Sequence, residues 1–214
     1  MKAFASWSGG KDSCLACYNA ISEGYEISHL LNMTDKEKSR SHGLDVKLIS
    51  AQAEAMGIPI LQRPTSWEAY EDNFKSAVSD LKPDIEAGVF GDIFLEEHRE
   101  WVERVCGELD IEPILPLWGR DCEDLLQEFI DVGFEAVVVS TSKNLSDILG
   151  RRVDKGLIDY LKGGGEDLCG ESGEYHTFVM DGPLFKKSVE IIDTRPVYGG
   201  DRWLLDVKRW VLRG

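Results

Sequence analysis

Ser8-Gly9-Gly10-Lys11-Asp12-Ser13 is the stretch that decides the fold of this 214-residue chain. It follows a short apolar run at residues 3–7 and precedes a helical pattern, so the predicted order is strand, glycine turn and helix. The N-terminus of a helix presents about four backbone N–H groups without intrahelical partners and roughly half a positive charge. The order therefore predicts an anion site, and we expect a phosphate chain there.

The residue types in this stretch suit a phosphate ligand. Gly9 and Gly10 let the backbone come close to the ligand, and Ser8 and Ser13 offer hydroxyl donors. Lys11 adds a positive charge, and Asp12 adds a carboxylate that could hold Mg²⁺ or cap the helix. Lys11, Asp12 and Ser13 are the candidate catalytic residues. Neither the Walker pattern nor G-x-G-x-x-G after a strand is present. The stretch resembles the S-G-G-x-D-S loop of the ATP pyrophosphatases, and its context favours nucleotide binding over a simple tight turn.

The charge balance limits the class of partner. The chain has 24 Lys and Arg against 39 Asp and Glu, a net charge of −15. Such a surface repels polyanions, so nucleic acid is disfavoured as the main partner. Length and composition predict one substantial core, or one domain with a smaller appendage. The quaternary state stays open, with a homo-oligomer as one option.

The cysteines and the N-terminus point to a location in the cytoplasm. Five scattered cysteines do not form the pattern of a disulfide framework: Cys14, Cys17, Cys106, Cys122 and Cys169. The pair at 14 and 17 is formally C-x-x-C, but both fall on one apolar helical stripe, which favours core packing over a redox pair. No charged segment with a long apolar run opens the chain, and no run approaches the length of a membrane span.

Strands and helices are predicted to alternate through the first half of the chain. Further strands are predicted at 27–33, 60–62, 85–90 and 111–115, with helices at 44–55, 67–81 and 95–109 between them. This alternation predicts right-handed crossovers and an α/β fold, with a doubly wound, mostly parallel, Rossmann-like sheet. Later we expect helices at 125–132, 145–150 and 153–161 and strands at 134–139, 178–180, 189–192 and 203–207. We assign an ATP-binding domain to 1–120 and a smaller α+β substrate domain to 121–214.

Several polar positions fall at the predicted carboxyl edge of this sheet, where ligands bind in such folds. Adenine is expected against the backbone at Met33, and Gly91 and Asp92 follow a later strand. His42 opens a helix and is either a ligand contact or an ordinary surface residue.

The stretch Pro116-Leu117-Trp118-Gly119-Arg120 combines an aromatic plate with a guanidinium. These groups suit planar recognition of a carboxylate or phosphate by Trp118 and Arg120. An equally weighted alternative is a helix entry with a packed Trp and an exposed Arg.

A second glycine-rich stretch, Gly170-Glu171-Ser172-Gly173-Glu174-Tyr175-His176-Thr177-Phe178, packs poorly and suits a cationic or polar guest, although its composition by itself favours a solvated acidic turn. Together with S-G-G-K-D-S at 8–13 and P-L-W-G-R at 116–120, it makes the chain resemble the diphthine–ammonia ligase family, a branch of the ATP pyrophosphatases, or PP-loop proteins. Ser172 stands where that family usually has Gly, a change expected to perturb the loop if the position requires a positive φ.

This resemblance implies an adenine nucleotide alpha hydrolase-like fold and a C–N bond-forming ligase. ATP with Mg²⁺ would adenylate the carboxylate of diphthine, a modified histidine of elongation factor 2, and ammonia would then form the amide, with release of AMP and pyrophosphate. Lys11 and a metal at Asp12 would offset charge on the phosphates. We expect substrate contacts at Gly170, Glu171, Gly173, Glu174 and Tyr175, and our own hypothesis is that the carboxylates and the ring meet the trimethylammonium group of diphthine.

Three alternatives remain open at this point. The same machinery could act on another carboxylate, above all in a bacterial source, or the chain could sense ATP without turnover. A tRNA thiolase using Cys14 or Cys169 is the third, and the acidic surface disfavours it.

Overall fold

A computed structural model describes residues 1–35, 38–39, 43–82 and 84–214. Its first sheet has five parallel strands in the order β4-β2-β1-β5-β6, and a short antiparallel strand, β3, pairs with the end of β2. The strands are β1 (Lys2–Ser6), β2 (Glu26–Asp35), β3 (Lys38–Ser39), β4 (Ile60–Pro64), β5 (Ala87–Val89) and β6 (Glu112–Ile114). The predicted α/β class with a mostly parallel sheet is confirmed.

Four helices connect these strands: α1 (Lys11–Ser22), α2 (Val46–Met56), α3 (Tyr70–Leu81) and α4 (Glu96–Glu108). Helix α2 shows why such boundaries can be read from sequence. The side chain of Asp45 accepts a hydrogen bond from the Lys47 backbone N–H at 2.7 Å, and Gly57 ends the helix at a φ of +73°.

The second sheet is antiparallel, in the order β8-β7-β10-β9. Its elements in chain order are α5 (Cys122–Asp131), β7 (Glu135–Ser142), a 3₁₀ helix (Lys143–Ile148), α6 (Lys155–Gly164), β8 (Tyr175–Asp181), β9 (Ser188–Gly199) and β10 (Arg202–Arg213). Strands β9 and β10 are 12 residues each, longer than predicted, because they pair along their whole length as a hairpin. Their mixed, largely exposed sequence hides that length from a search for apolar runs.

The two sheets share one hydrophobic core. Its largest cluster of buried side chains includes Ala5 of β1, Leu15 of α1, Phe129 of α5 and Phe178 of β8. The second sheet therefore packs directly against the first helix of the parallel sheet, next to the glycine turn. Within the described residues, no helix has the length and apolar content that a membrane span requires.

The cysteines divide into two groups. Cys14 and Cys17 are fully buried in the core, which confirms the packing interpretation, and burial raises the pKa of the Cys17 thiol to about 12. The sequence shows no pattern of a disulfide framework, yet Cys122 and Cys169 are bonded to each other. They lie 47 residues apart and meet only because the start of α5 packs beside the segment before β8, so their spacing gave no signal.

Candidate functional site

The glycine turn between β1 and α1 has a conformation that only glycine adopts easily. Gly9 has a φ of +81°, and a Cβ there would lie 2.7 Å from Cδ1 of Ile49 and 2.8 Å from Oε1 of Gln52. Both the backbone angle and the space therefore require glycine at this position.

Two serine hydroxyls line the inside of the turn. The Gly10 N–H donates to Oγ of Ser8 at 3.3 Å, and Oγ of Ser13 donates to the Gly10 carbonyl at 3.0 Å. The two hydroxyl oxygens are 3.2 Å apart. Gly10, the N-cap residue of α1, makes no side-chain cap, so the positive end of the helix faces this hydroxyl pair, as an anion site requires.

The fully buried side chain of Gln52 joins the turn to both sheets. Its Nε2 donates to the carbonyls of Gly9 and Val179 at 3.0 and 2.7 Å, and its Oε1 accepts from Nε1 of Trp7 at 2.8 Å. The backbone N–H of Lys11 adds a bond of 3.0 Å to Oγ1 of Thr177. Sequence reasoning missed Gln52, since a lone glutamine on an apolar helix face carries no motif.

The ammonium of Lys11 is buried and turned toward the second sheet. It bonds Oδ2 of Asp12 at 2.9 Å, donates to the carbonyl of Cys169, and lies 5.1 Å from the centre of the Tyr175 ring. Burial by itself lowers the pKa of Lys11, but attraction to Asp12, Tyr175 and Asp167 outweighs it and raises that pKa to about 12. The lysine is therefore charged at neutral pH.

A cleft of about 240 Å³ opens between the turn, the carboxyl edge of the parallel sheet and the segment before β8. It brings together eight of the sequence-predicted residues: Ser8, Asp12, Ser13, Met33, Gly91, Asp92, Gly170 and Glu171. It is also lined by residues that sequence reasoning did not single out: Ser6, Trp7, Leu31, Tyr70, His98 and His176.

Gly91 and Glu171 both line the cleft and both make close contacts there. A Cβ on Gly91 would lie 2.9 Å from the backbone carbon of Asp12, so only glycine allows this approach to the start of α1. The carboxylate of Glu171 accepts the backbone N–H groups of Ile93 and Phe94 at 2.6 and 2.9 Å. Glu171 thus fastens the segment before β8 to the parallel sheet.

Two histidines of the cleft differ in their environments. Burial, with the positive charges of Arg202 and Lys11, lowers the pKa of His176 to about 4. His98 lies 3.1 Å from Asp92 through its Nδ1, and this hydrogen bond raises its pKa. His176 lies inside a quoted motif, whereas nothing in the sequence marked His98.

Other predicted contacts lie elsewhere. The ring of Trp118 packs 5.2 Å from the guanidinium carbon of Arg99, and Arg120 pairs with Glu128 of α5. Within the described part of the chain neither residue lines the cleft. This placement corresponds to a packed Trp and an exposed Arg. His42 lies outside the described residues.

The segment 170–175 is held from within the second sheet. Tyr175 is 1% exposed, and its hydroxyl donates to the Leu168 carbonyl, so its ring face is taken by Lys11 and is not open to a ligand in this conformation. The Gly173 carbonyl accepts from Nη1 of Arg202 at 2.6 Å. Glu174 has one buried carboxyl oxygen that no hydrogen bond reaches in the described part of the chain.

Ser172 occupies ordinary backbone. Its neighbours Gly170 and Gly173 have φ of +66° and +88°, whereas the non-glycine residues with positive φ, among those described, are Asp110 and Asp201. The serine therefore brings no backbone strain to this segment.

Comparisons with known proteins agree across both halves of the chain. Residues 1–113 match the diphthamide synthase N-terminal domain family and residues 121–212 match the diphthamide synthase C-terminal domain family. A protein of Rattus norvegicus named diphthine–ammonia ligase is 34% identical over 91% of this chain and 84% of its own length. Proteins of the same name from Homo sapiens and Danio rerio are 33% and 31% identical, over 92% and 94% of this chain and 85% and 90% of their own lengths.

A solved structure from Methanocaldococcus jannaschii, described as a predicted subunit of tRNA methyltransferase, has a similar fold. It superposes with a TM-score of 0.50 at 18% identity, over 86% of this chain and 98% of its own. At this identity the likeness concerns the fold alone.

Proposed function

This chain belongs to the diphthamide synthase family, and on that premise we propose that it is an ATP-dependent ligase that amidates diphthine on elongation factor 2. The carboxylate is first adenylated by ATP, with loss of pyrophosphate, and ammonia then displaces AMP. The observation that carries the proposal is the cleft itself. In it the hydroxyl-lined turn at the start of α1 faces residues 170–171, which the bonds of Glu171 hold in place.

The phosphates of ATP bind at the turn in this proposal. The N-terminus of α1, with Gly10 as its N-cap, and the hydroxyls of Ser8 and Ser13 face them, and Gly9 and Gly10 let the backbone approach closely. Lys11 is buried next to Asp12, outside the lining of the cleft, and would have to exchange its bond to the Cys169 carbonyl for one to a phosphate oxygen. Adenine lies toward Met33 and Trp7 at the end of the parallel strands.

The residues present also fit a magnesium ion at Asp12. Its carboxylate lines the cleft and its side chain is 39% exposed. In the described residues there is no group of three or more His, Cys, Asp or Glu side chains that would hold a metal alone. Mg²⁺ commonly uses one or two carboxylates together with substrate phosphates, so a single Asp is sufficient. When bound, the ion would neutralise phosphate charge.

The acceptor is proposed to enter beside Gly170 and Glu171, across the cleft from the turn. Gly173 and Glu174 follow these two residues but do not line the cleft. Glu174 keeps a carboxyl oxygen without a hydrogen bond in the described structure. We also place the domain boundary near residue 120, which the start of α5 at Cys122 supports. The cytoplasm is the proposed location, since elongation factor 2 works there.

A coupled assay tests this function. With diphthine-bearing elongation factor 2, ATP and ammonium, the protein should form AMP and pyrophosphate. The mass of the acceptor should fall by the difference between a carboxylic acid and its amide. Lys11→Met should reduce pyrophosphate release about 100- to 1000-fold, because the charge facing the phosphates is lost. Lys2→Met is the matched control, because this exposed lysine lies at the end of β1 that is remote from the turn, and the variant should retain activity. Absence of acceptor-dependent pyrophosphate from the unaltered protein would reject the proposed function.

A further inference from the structure

Asp92 and His98 form a hydrogen-bonded pair on the wall of the cleft. His98 lies in the first turn of α4, and Asp92 lies in the segment that joins β5 to that helix. The Nδ1 atom of His98 is 3.1 Å from Oδ1 of Asp92, and both side chains line the cleft with Ser8 and Ser13. The imidazole is 57% exposed and the carboxylate 23% exposed. Because the carboxylate accepts from Nδ1, the neutral ring presents its lone pair at Nε2.

Amide formation needs a proton acceptor, and this requirement rests on the proposed function. When ammonia attacks the acyl-adenylate, its nitrogen lone pair forms the new C–N bond and the carbonyl electrons move to oxygen. The nitrogen is then positively charged and must lose a proton, or the C–N bond reverts. Collapse of the intermediate restores the carbonyl and breaks the bond between its carbon and the AMP oxygen. AMP leaves with the electron pair of that broken bond.

The cleft offers few groups for this task. The Asp, Glu and His side chains among its described lining residues are Asp12, Asp92, Glu171, His98 and His176. Asp12 holds the Lys11 ammonium, and both oxygens of Glu171 accept backbone N–H groups. A pKa of about 4 makes His176 a weak base. His98 is left as the exposed base whose orientation is fixed by a neighbour.

We propose that His98, oriented by Asp92, is the general base that removes the proton from the attacking ammonia. Nε2 of His98 takes the proton, and the carboxylate of Asp92 stabilises the resulting imidazolium. His98 is then a catalytic residue of the amidation step, and Asp92 is its positioning residue.

The charged groups around His98 raise its pKa. The bond to Asp92 raises its pKa above 6.5, partial burial opposes this, and Asp92, Glu171 and Glu97 add attraction to the imidazolium. These groups come from the segment before α4, the segment before β8 and α4 itself. A base with a pKa near the working pH combines availability with driving force.

The experiment separates the two half-reactions in the full-length protein. Adenylation is followed by exchange of labelled pyrophosphate into ATP with diphthine-bearing elongation factor 2, and amidation by the mass of the acceptor with ammonium or hydroxylamine. His98→Gln should keep the exchange rate and lower amidation by ammonium about 100-fold or more. Hydroxylamine should lose less, because the positively charged nitrogen of its adduct is more acidic and gives up its proton more readily to water. His29→Gln, on β2 and outside the cleft, is the matched control.

Asp92→Asn tests the positioning role. Loss of the carboxylate should lower the pKa of His98, so the rise of the amidation rate with pH should move to lower pH while its plateau falls. The proposal is overturned if His98→Gln amidates with ammonium at the unaltered rate, or if exchange falls as much as amidation. An unaltered protein without exchange would instead reject the proposed function.

Discussion

The turn at residues 8–13 and the segment at residues 166–174 face each other across the cleft, but they are held in different ways. The turn takes its shape from its own residues, since Gly9 needs a positive φ and α1 begins directly behind it. The segment is fixed from outside, by the Cys122–Cys169 disulfide, the bonds of Glu171 to the parallel sheet and the bond of Arg202 to Gly173. The backbone shape of the phosphate side is thus set locally and then supported by Gln52 and Thr177, whereas the acceptor side depends on distant contacts for its position.

The strongest test of this contrast is Gly9→Ala. Positive φ costs a residue with a Cβ about 1–2 kcal/mol, and the 2.7 Å contact with Ile49 adds overpacking of about 1–3 kcal/mol. We expect the free energy of unfolding in urea to fall by about 2–5 kcal/mol. Gly24→Ala is the matched control, because Gly24 has a φ of +96° with nothing within 4 Å of the added Cβ. Equal losses would show that space at the turn is unimportant.

Cys122→Ser with Cys169→Ser tests how far the segment depends on its crosslink. Removing a disulfide that spans 47 residues should cost about 2–4 kcal/mol of unfolding free energy. Hydrogen exchange should increase in residues 166–174 and stay unchanged in the turn. A reductant should reproduce the effect in the unaltered protein and add nothing in the double variant. Increased hydrogen exchange in both the turn and residues 166–174 would show that the two segments are not supported separately.

His176, at the start of β8, makes stability depend on pH. Its pKa is lowered from 6.5 to about 4 in the fold, so the unfolded chain binds more protons between these values. The free energy of unfolding should therefore rise with pH from about 4 to 6.5, and the contribution of His176 is lost as the pH falls through that window. His176→Gln should flatten this part of the curve measured by thermal unfolding. An unchanged slope would assign the effect to other groups.

Glu171→Gln is expected to have the smallest effect. The amide keeps one acceptor for the N–H groups of Ile93 and Phe94 but loses the charge, which should cost about 1 kcal/mol. Proteolysis within residues 166–174 should become faster, with ATP binding by calorimetry little changed. Glu166→Gln, in the same segment, serves as the control. A loss of ATP binding would mean that the two walls are coupled more tightly than their contacts suggest.

Much of the fold could be predicted because its signals are local. Apolar strands alternate with helices whose ends carry residues such as Asp45 and Gly57, and this pattern leads to a parallel sheet. The resemblance carried by 8–13 and 170–178 is confirmed by the family matches. The full length of β9 and β10 was hidden, because pairing rather than apolar periodicity extends them.

For the candidate site, glycine and hydroxyl positions of the turn followed from sequence, whereas its supports did not. The contacts of Gln52 with Gly9 and of the Lys11 side chain with Cys169 join residues 43 and 158 positions apart, and His98 carries no motif. Trp118 and Arg120 had suitable chemistry, yet Arg99 and Glu128 engage them outside the cleft.

The sequence by itself determined the strand, the glycine turn and the helix that follows, because dihedral freedom, capping and periodicity act between near neighbours. Only the tertiary structure decided that Cys122 meets Cys169, that Glu171 reaches the edge of the other sheet and that Asp92 orients His98. Those contacts depend on where packed layers place side chains in space, and burial in one shared core sets that placement.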